Sequence, residues 1–269
     1  MRVIFMGTPD FAVPSLEALC KEHEVVLVVT QPDKPKGRGK KMQFSPVKEC
    51  AIAHNIPVLQ PQKVRDAEFI EQLRTYAPDC IAVTAFGQIL SEPILEMPKY
   101  GCINVHGSLL PQYRGAAPMQ WAIINGESVT GITTMFMAKG LDSGDMLLKE
   151  EVPITPQDTF ATIHDKMASV GANLLIETLK GLEAGTLQRI SQNHEAATYA
   201  PMITKETGHI DWSKPAQEII HLIRGLDPVP AAYTIYENEV LKIFDAELTD
   251  MGAEAPCGSI AAVTKKGFV

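Results

Sequence analysis

The chain has 269 residues, of which 45% are hydrophobic and 21% are charged, and its formal net charge at pH 7 is −8. These values are ordinary for a globular protein and exclude collagen-like, low-complexity and intrinsically disordered classes. No apolar run approaches the roughly 18 residues that a membrane-spanning helix needs. The acidity argues against a protein coated by a polyanion, but it leaves room for a local basic patch.

Short apolar strands alternate with helical patterns through the first two thirds of the chain. Strands are predicted at residues 3–6, 24–30, 79–86, 101–106, 130–137 and 146–152, and helices at 10–21 and 66–76. A longer helix is expected to begin at Asp158, its N-cap, and to end before Gly185. Strands that alternate with helices are typical of βαβ units, so the chain is predicted to be an α/β protein with a doubly wound parallel sheet.

The pattern changes after Gly185. Residues 188–207 are polar and irregular and predict a linker, after which Ser213 is expected to cap a short amphipathic helix. From Ala231 onward, short strands and turns predict a small antiparallel β domain, and its last strand pattern, at 267–269, is unfinished. We therefore expect a large domain at 1–187, a linker at 188–207 and an incomplete β domain at 208–269.

The cysteines and histidines do not form a recognisable metal site or disulfide framework. The five cysteines include no CxxC pair, and the seven histidines show no HxxxH or HExxH spacing. The first seven residues turn polar too early for a secretory signal peptide. These features predict a cytoplasmic protein with reduced thiols and no metal ion.

Two polar side chains stand at the carboxyl end of the fourth predicted strand, where open α/β sheets bind ligands. Because side chains alternate along a strand, Asn104 and His106 share one face. An amide donates hydrogen bonds to an oxyanion, and an imidazole moves protons near neutral pH. Residues 140–145 form a tight loop with two aspartates, one of which is expected to reach and orient the imidazole. The alternative is a structural histidine beside an ordinary Asx turn.

A basic stretch contradicts the acidity of the chain. Residues 34–41 hold five cations and no carboxylate, together with glycines and a proline: Lys34, Lys36, Arg38, Lys40 and Lys41. Such a run is either a solvated surface loop or an arm that contacts phosphates. The excess of one sign of charge favours the second interpretation.

Four stretches of the sequence together resemble the methionyl-tRNA formyltransferase family. They are GTPDFA at 7–12, QPDKPKGRGKK at 31–41, INVHGSLLPQYRGAAP at 103–118 and GLDSGDM at 140–146. The third and fourth are shared by the wider family of 10-formyltetrahydrofolate-dependent formyltransferases and hydrolases. The basic stretch at 31–41 and SPVK at 45–48 point to the enzymes that act on tRNA.

The resemblance implies a Rossmann-like catalytic domain and an OB-like C-terminal barrel, here incomplete, both facing tRNA. The acceptor would be the free α-amine of methionyl initiator tRNA, and the formyl donor would be 10-formyltetrahydrofolate. Asn104, His106 and Asp142 fall on the family's catalytic positions. The family's folate-contacting segment corresponds to Ser108, Leu109, Leu110 and Pro111.

The remaining expectations concern the binding of the two substrates. After the third strand, a natural wall for a pterin is formed by Phe86, Gly87, Ile89 and Leu90, because glycine allows close approach of the backbone and the others offer apolar surface. The five cations of residues 34–41 are expected to bind the tRNA. Nothing in the sequence requires more than one copy of the chain, so a monomer is expected.

The reaction expected from these residues is direct acyl transfer through a tetrahedral intermediate, without a covalent enzyme intermediate. Neither a GxSxG motif nor a cysteine with a neighbouring histidine supplies a nucleophile. Three alternatives remain open at this point: an N-formyltransferase for amino sugars or purine precursors, a hydrolase that uses water in place of the amine, and a non-catalytic RNA-binding relative.

Overall fold

The computed structural model describes residues 1–36, 41–249, 255–265 and 267–269, and the structural statements that follow concern these residues. The expected contacts of Arg38 and Lys40 fall outside the described residues. Within those that are described, no helix combines the length and apolar character needed to cross a membrane.

Seven of the strands form one central sheet, and the others form three small two-stranded ribbons. The strands are β1 Arg2–Gly7, β2 Glu24–Val29, β3 Lys34–Lys36, β4 Lys41–Gln43, β5 Val58–Leu59, β6 Cys80–Thr84, β7 Cys102–His106, β8 Arg114–Gly115, β9 Val129–Phe136, β10 Met146–Pro153, β11 Tyr199–Ala200, β12 Ala232–Tyr236 and β13 Glu239–Ile243. The helices are α1 Val13–Glu22, α2 Pro46–Ala53, α3 Ala67–Thr75, α4 Glu92–Leu95, α5 Pro118–Ile124, α6 Phe160–Ala184 and α7 Ala216–Leu226.

The central sheet has the strand order β10-β9-β7-β6-β1-β2-β5. The five strands from β7 to β5 are parallel, and the chain begins in the middle of the sheet, building first one side and then the other. This arrangement places a topological switch point between β1 and β6, where open sheets bind ligands.

The sheet is mixed, whereas the sequence predicted a parallel one. β9 runs antiparallel to both β7 and β10. The connection between β9 and β10 spans only residues 137–145, and a parallel pair requires a crossover of a dozen or more residues. The short loop therefore forces β9 and β10 to run antiparallel to each other.

Both faces of the sheet are covered, which explains why its strands are apolar without alternation. Val3 and Phe5 of β1 face a cluster that includes residues of α1 and α6, while Ile4 and Met6 face a second cluster with α3 and α4. These side chains of β1 are fully buried. The helices cover the faces of the sheet and leave the carboxyl ends of its strands accessible.

Helix α6 begins one residue later than the sequence predicted. Thr159, rather than Asp158, is the N-cap, and it forms a capping box with Thr162. Asp158 instead accepts hydrogen bonds from the preceding turn and from the first turns of the helix. Gly185 ends the helix with a φ of +67°, the left-handed conformation that glycine tolerates best.

Part of the predicted linker is packed onto the large domain. Ile190 forms an isolated bridge with Met146 of β10, and β11 pairs in parallel with β8. Ser213 does not cap the following helix: it hydrogen-bonds to Asp211 in a turn, and α7 begins at Ala216, after Pro215. A proline fits there because the first turn of a helix leaves its backbone N–H groups without intrahelical partners.

The described C-terminal residues contain an antiparallel hairpin rather than a barrel. β12 and β13 are joined by Glu237 and Asn238, which both have positive φ, the geometry of a two-residue hairpin turn. Beyond it, Val263 and Phe268 form an isolated bridge. Two strands cannot close on themselves, so the OB-like barrel is not seen in these residues.

Candidate active site

Strand β7 brings Asn104 and His106 to the carboxyl edge of the sheet. Its alternate residues Ile103 and Val105 are buried in the cluster that contains α6, so the two polar side chains project from the opposite face. His106 is buried, and Asn104 is partly exposed. The amide is therefore the more accessible of the two groups.

Both ring nitrogens of His106 face acceptors. Nε2 lies 3.0 Å from the backbone carbonyl oxygen of Tyr113, and Nδ1 lies 3.7 Å from Oδ1 of Asp142. A carbonyl oxygen can only accept, so Nε2 is the nitrogen that carries the proton in this geometry. Nδ1 then faces the carboxylate, which is placed to stabilise a proton that arrives there.

The loop at 140–145 separates its two aspartates. Asp142 faces His106, and its Oδ2 accepts a hydrogen bond of 2.8 Å from the backbone N–H of Gly115. Asp145 points away from the imidazole and binds Arg189 and Ser191. Asp142 also adopts a φ of +46°, a backbone conformation that non-glycine residues rarely occupy. The fold therefore selects one carboxylate for the site.

Sequence reasoning missed the residues behind Asp142. Arg114 is buried and donates two hydrogen bonds to Oε1 of Gln192. The Gln192 amide in turn donates to the backbone carbonyls of Asp142 and Gly144, each at 2.8 Å. Gln192 lies in the polar stretch predicted as a linker, and no local pattern marks it as part of a site.

The segment expected to contact folate is tied to β9 and β10. The Leu110 N–H donates to Oγ1 of Thr133, and that hydroxyl donates to the Ser108 carbonyl. Lys149 donates to the Leu110 carbonyl, and partial burial lowers the pKa of its ammonium group. The Leu110–Pro111 peptide bond is cis, and Leu110 is fully buried, whereas Leu109 is partly exposed.

The expected pterin wall follows β6 and presents a mixed surface. Phe86 and Leu90 are buried in the cluster that contains α3 and α4, while the Ile89 side chain is exposed. Gly87 has a φ of +83°. The Phe86 carbonyl accepts hydrogen bonds from the side chains of Thr8 and Gln31. Solvent thus reaches Ile89 and the backbone at Gly87, but not the two buried side chains.

The basic stretch leaves the sheet at the same edge. β3 and β4 pair as a hairpin, and Lys34 is exposed at its start. The base of the hairpin is held by Lys48, which bonds to Asp33 at 2.5 Å and to Gln60 at 2.7 Å. The hydrogen bond from Lys48 holds the pKa of the Asp33 carboxyl below its usual range. For Lys36 and Lys41, the structure describes only the backbone.

A metal site was not expected from the sequence. In the ranges of the chain that the structure describes, no three His, Cys, Asp or Glu side chains are grouped closely enough to hold a metal ion. The three polar groups of the site act from one strand and one loop of the same chain.

The chain matches two family models and many curated relatives. The formyl transferase family matches residues 1–179, and the formyl transferase C-terminal domain matches residues 202–269. The methionyl-tRNA formyltransferase of Agathobacter rectalis is 56% identical over 266 residues, which cover 98% of this chain and 86% of the relative. That of Acetivibrio thermocellus is 54% identical over 271 residues, which cover 100% of this chain and 87% of the relative.

Solved structures share the fold at lower identity. A 4-N formyltransferase from Francisella tularensis has a TM-score of 0.72 and 18% identity, covering 93% of this chain and 98% of that one. HypX from Aquifex aeolicus, solved in complex with tetrahydrofolic acid, has a TM-score of 0.69 and 18% identity, covering 100% of this chain and 41% of that one. From the sequence relatives and the two family matches, we conclude that this chain belongs to the methionyl-tRNA formyltransferase family.

Proposed function

We propose that the chain transfers the formyl group of 10-formyltetrahydrofolate to the α-amine of methionyl initiator tRNA, for the initiation of translation. The observation that carries this proposal is the grouping of Asn104, His106 and Asp142 at the carboxyl edge of the sheet. The chain that carries them has methionyl-tRNA formyltransferases as relatives. An amide, an imidazole and a carboxylate suit direct acyl transfer to an amine.

The residues at this edge fit a folate co-substrate. The exposed Ile89 offers apolar surface beside Gly87, where a Cβ would meet only the Gln31 amide, at 3.7 Å. We propose that residues 86–90 hold the pterin and that Ser108, Leu109, Leu110 and Pro111 complete the folate site. The structure of HypX with tetrahydrofolic acid supports a folate ligand on this fold. The co-substrate supplies the formyl carbonyl that the amine attacks.

In this mechanism, Asn104 stabilises the charge that develops on the formyl oxygen. Its side-chain amide donates a hydrogen bond to the oxyanion as the new C–N bond forms. The amine nitrogen becomes positively charged as it forms that bond, and it loses a proton to His106 and Asp142, with Asp142 holding the charged imidazole. The C–N bond to the donor then breaks, and the donor nitrogen takes up a proton.

Direct transfer also agrees with the state of the Ser108 hydroxyl, two residues after His106 in the chain. Ser108 is fully buried, and its Oγ donates a hydrogen bond of 2.6 Å to the Gln112 carbonyl. A hydroxyl engaged in this way is a poor nucleophile, because attack requires it to leave that carbonyl and find a base. We therefore propose that no covalent enzyme intermediate forms.

The tRNA is proposed to bind along the carboxyl edge of the sheet. The cations of residues 34–41 would contact its phosphates, together with a C-terminal domain at 208–269 of OB-like type, joined to the catalytic domain at 1–187 by residues 188–207. One copy of the chain holds all three catalytic groups, which suits a monomer. Because its substrate serves translation, we place the enzyme in the cytoplasm.

A formylation assay tests the proposal. Purified protein is incubated with 10-formyltetrahydrofolate and methionyl initiator tRNA, and formylmethionine is measured against matched elongator methionyl-tRNA. We expect transfer to the initiator tRNA. Transfer to amino sugars instead would show that the chain is a small-molecule formyltransferase. Formate release without an acceptor would show that it is a hydrolase. If no amine causes 10-formyltetrahydrofolate to be consumed, the remaining interpretation is that the chain is a non-catalytic RNA-binding protein.

A further inference from the structure

A buried arginine lies directly behind the candidate active site. Arg114 is 3% exposed, and its guanidinium donates to Oε1 of Gln192 from Nε at 3.1 Å and from Nη2 at 2.6 Å. Nη2 also lies 3.1 Å from Nδ1 of His194. Over the described ranges, Arg114 takes part in no ion pair. Burial of a cation among neutral acceptors costs free energy, so this arrangement calls for a reason other than stability.

The arginine determines which way the Gln192 amide points. A guanidinium can only donate, so the atom facing it must be the amide oxygen. The amide nitrogen then points to the opposite side, where it donates to the carbonyls of Asp142 and Gly144 at 2.8 Å each. Both hydrogens of that nitrogen are thus used to hold the backbone of one loop.

The loop that Gln192 holds contains a residue in an unfavourable backbone conformation. Asp142 has a φ of +46°, so its backbone needs support from outside the loop. The Asp142 carboxylate is held by the segment that contains Arg114, because the N–H that donates to Oδ2 belongs to the next residue, Gly115. β8, which contains both residues, is paired with β11. One buried assembly therefore holds the backbone and the side chain of Asp142.

We infer that Arg114 and Gln192 are positioning residues, which keep the Asp142 carboxylate facing Nδ1 of His106. Neither residue touches the reacting atoms in this arrangement. The inference rests on the proposed function, because it takes its importance from the role of Asp142. It also assigns a function to residues 188–200, a stretch that sequence reasoning treated as a connection between domains.

The sharpest variant is Gln192→Glu. The new carboxylate still accepts from Arg114 and gains an opposite charge, but it has no hydrogens for the Asp142 and Gly144 carbonyls. We expect kcat for formyl transfer to fall about 10- to 100-fold, with KM for both substrates within about twofold. Gln188→Glu makes the same chemical change at an exposed position four residues earlier and serves as the control. Gln192→Met, which loses both sets of contacts without adding charge, is expected to show the same fall.

Two further measurements separate positioning from a general loss of structure. In an Asp142→Asn background, Gln192→Glu should change kcat less than about twofold, because coupled residues are not additive. Amide hydrogen exchange of residues 140–145 should be faster in both Gln192 variants and unchanged in the control. Full activity of Gln192→Glu, or independent effects of the two changes, would overturn the inference. If wild-type protein transfers no formyl group, the proposed function fails, and the exchange measurement alone decides the positioning role.

Discussion

The two nitrogens of the His106 imidazole face different groups. The Tyr113 carbonyl oxygen accepts a hydrogen bond of 3.0 Å from Nε2, and Oδ1 of Asp142 lies 3.7 Å from Nδ1. The second distance exceeds a direct hydrogen bond, so the carboxylate acts on the ring through charge in this state. The ring is therefore fixed by its hydrogen bond at Nε2, and Nδ1 is left facing the carboxylate.

The first prediction concerns Asn104. Asn104→Ala removes the proposed oxyanion donor, and kcat for formyl transfer should fall about 10²- to 10³-fold. Asn104 is partly exposed, so the free energy of unfolding should change little. Steady-state kinetics and thermal unfolding measure the two quantities. Asn173→Ala, at an exposed position of α6, is the matched control, and near-wild-type turnover of Asn104→Ala would remove Asn104 from the mechanism.

His106→Ala tests the role of the imidazole. Loss of the imidazole removes the group that shares the proton with Asp142, and kcat should fall at least about 100-fold. The buried site also loses a ring, so thermal unfolding of the variant must be measured to show that it is folded. A folded variant that keeps wild-type kcat would exclude His106 as a catalytic residue.

At the scale of elements, Asp158 joins the start of α6 to α7. Its carboxylate accepts hydrogen bonds from Thr155, Thr162 and Lys166, and its backbone carbonyl accepts one from Arg224 of α7. Burial opposes ionisation of this carboxyl, but the hydrogen bonds outweigh it and hold its pKa well below the usual range. The residue predicted as a helix cap is thus a junction between two helices.

We predict that Asp158→Asn lowers the free energy of unfolding by about 1–3 kcal/mol at pH 7. Because the pKa of Asp158 is lower in the folded state, its carboxylate stabilises the fold fully above the unfolded pKa of 3.8. This stabilisation is lost as the pH falls through the folded pKa. The difference between wild type and variant should therefore be constant above about pH 5 and shrink in stronger acid. Denaturant unfolding at several pH values measures it, with Glu177→Gln on α6 as the control. A difference that stayed constant into strong acid would contradict the assignment.

The basic hairpin depends on a second polar junction. Lys48 of α2 bonds to Asp33 and Gln60, and Gln60 also donates to the Gln31 carbonyl. We expect Lys48→Met to weaken initiator tRNA binding about 3- to 10-fold, because the hairpin would have to be ordered on binding. Turnover at saturating tRNA should not change. Lys21→Met removes the same charge at the opposite edge of the sheet and should bind tRNA as wild type does; equal affinity of the two variants would contradict this role.

For the whole molecule, the net charge of −8 makes the position of the cations decisive. A polyanion is repelled by most of such a surface, so its affinity must come from a few local contacts. We predict that alanine at Lys34, Lys36 and Arg38 lowers initiator tRNA affinity and reduces the slope of log K against log salt by about one per lost phosphate contact. Titrations at several salt concentrations measure both. If neither changes, the segment is a solvated surface loop.

Local patterns in the sequence predicted six strands of the central sheet and helices α1, α3, α6 and α7. They also predicted the shared face of Asn104 and His106 on β7, and they marked the segment that carries the cations. These features follow from local periodicity, turn residues and charge, which act between neighbours along the chain. The apolar runs of β1, β2, β6 and β7 could therefore be located to within a few residues.

Contacts between segments that are remote along the chain are set by the tertiary structure. It places Asp142 rather than Asp145 against His106, runs β9 antiparallel to both of its neighbours, and brings Gln192 to Arg114 across 78 residues of chain. A contact between remote segments depends on how the whole chain closes, and a polar residue in an irregular stretch carries no local sign of its partner. The sequence therefore locates the strand that bears the chemistry, while the fold supplies the residues that hold it in place.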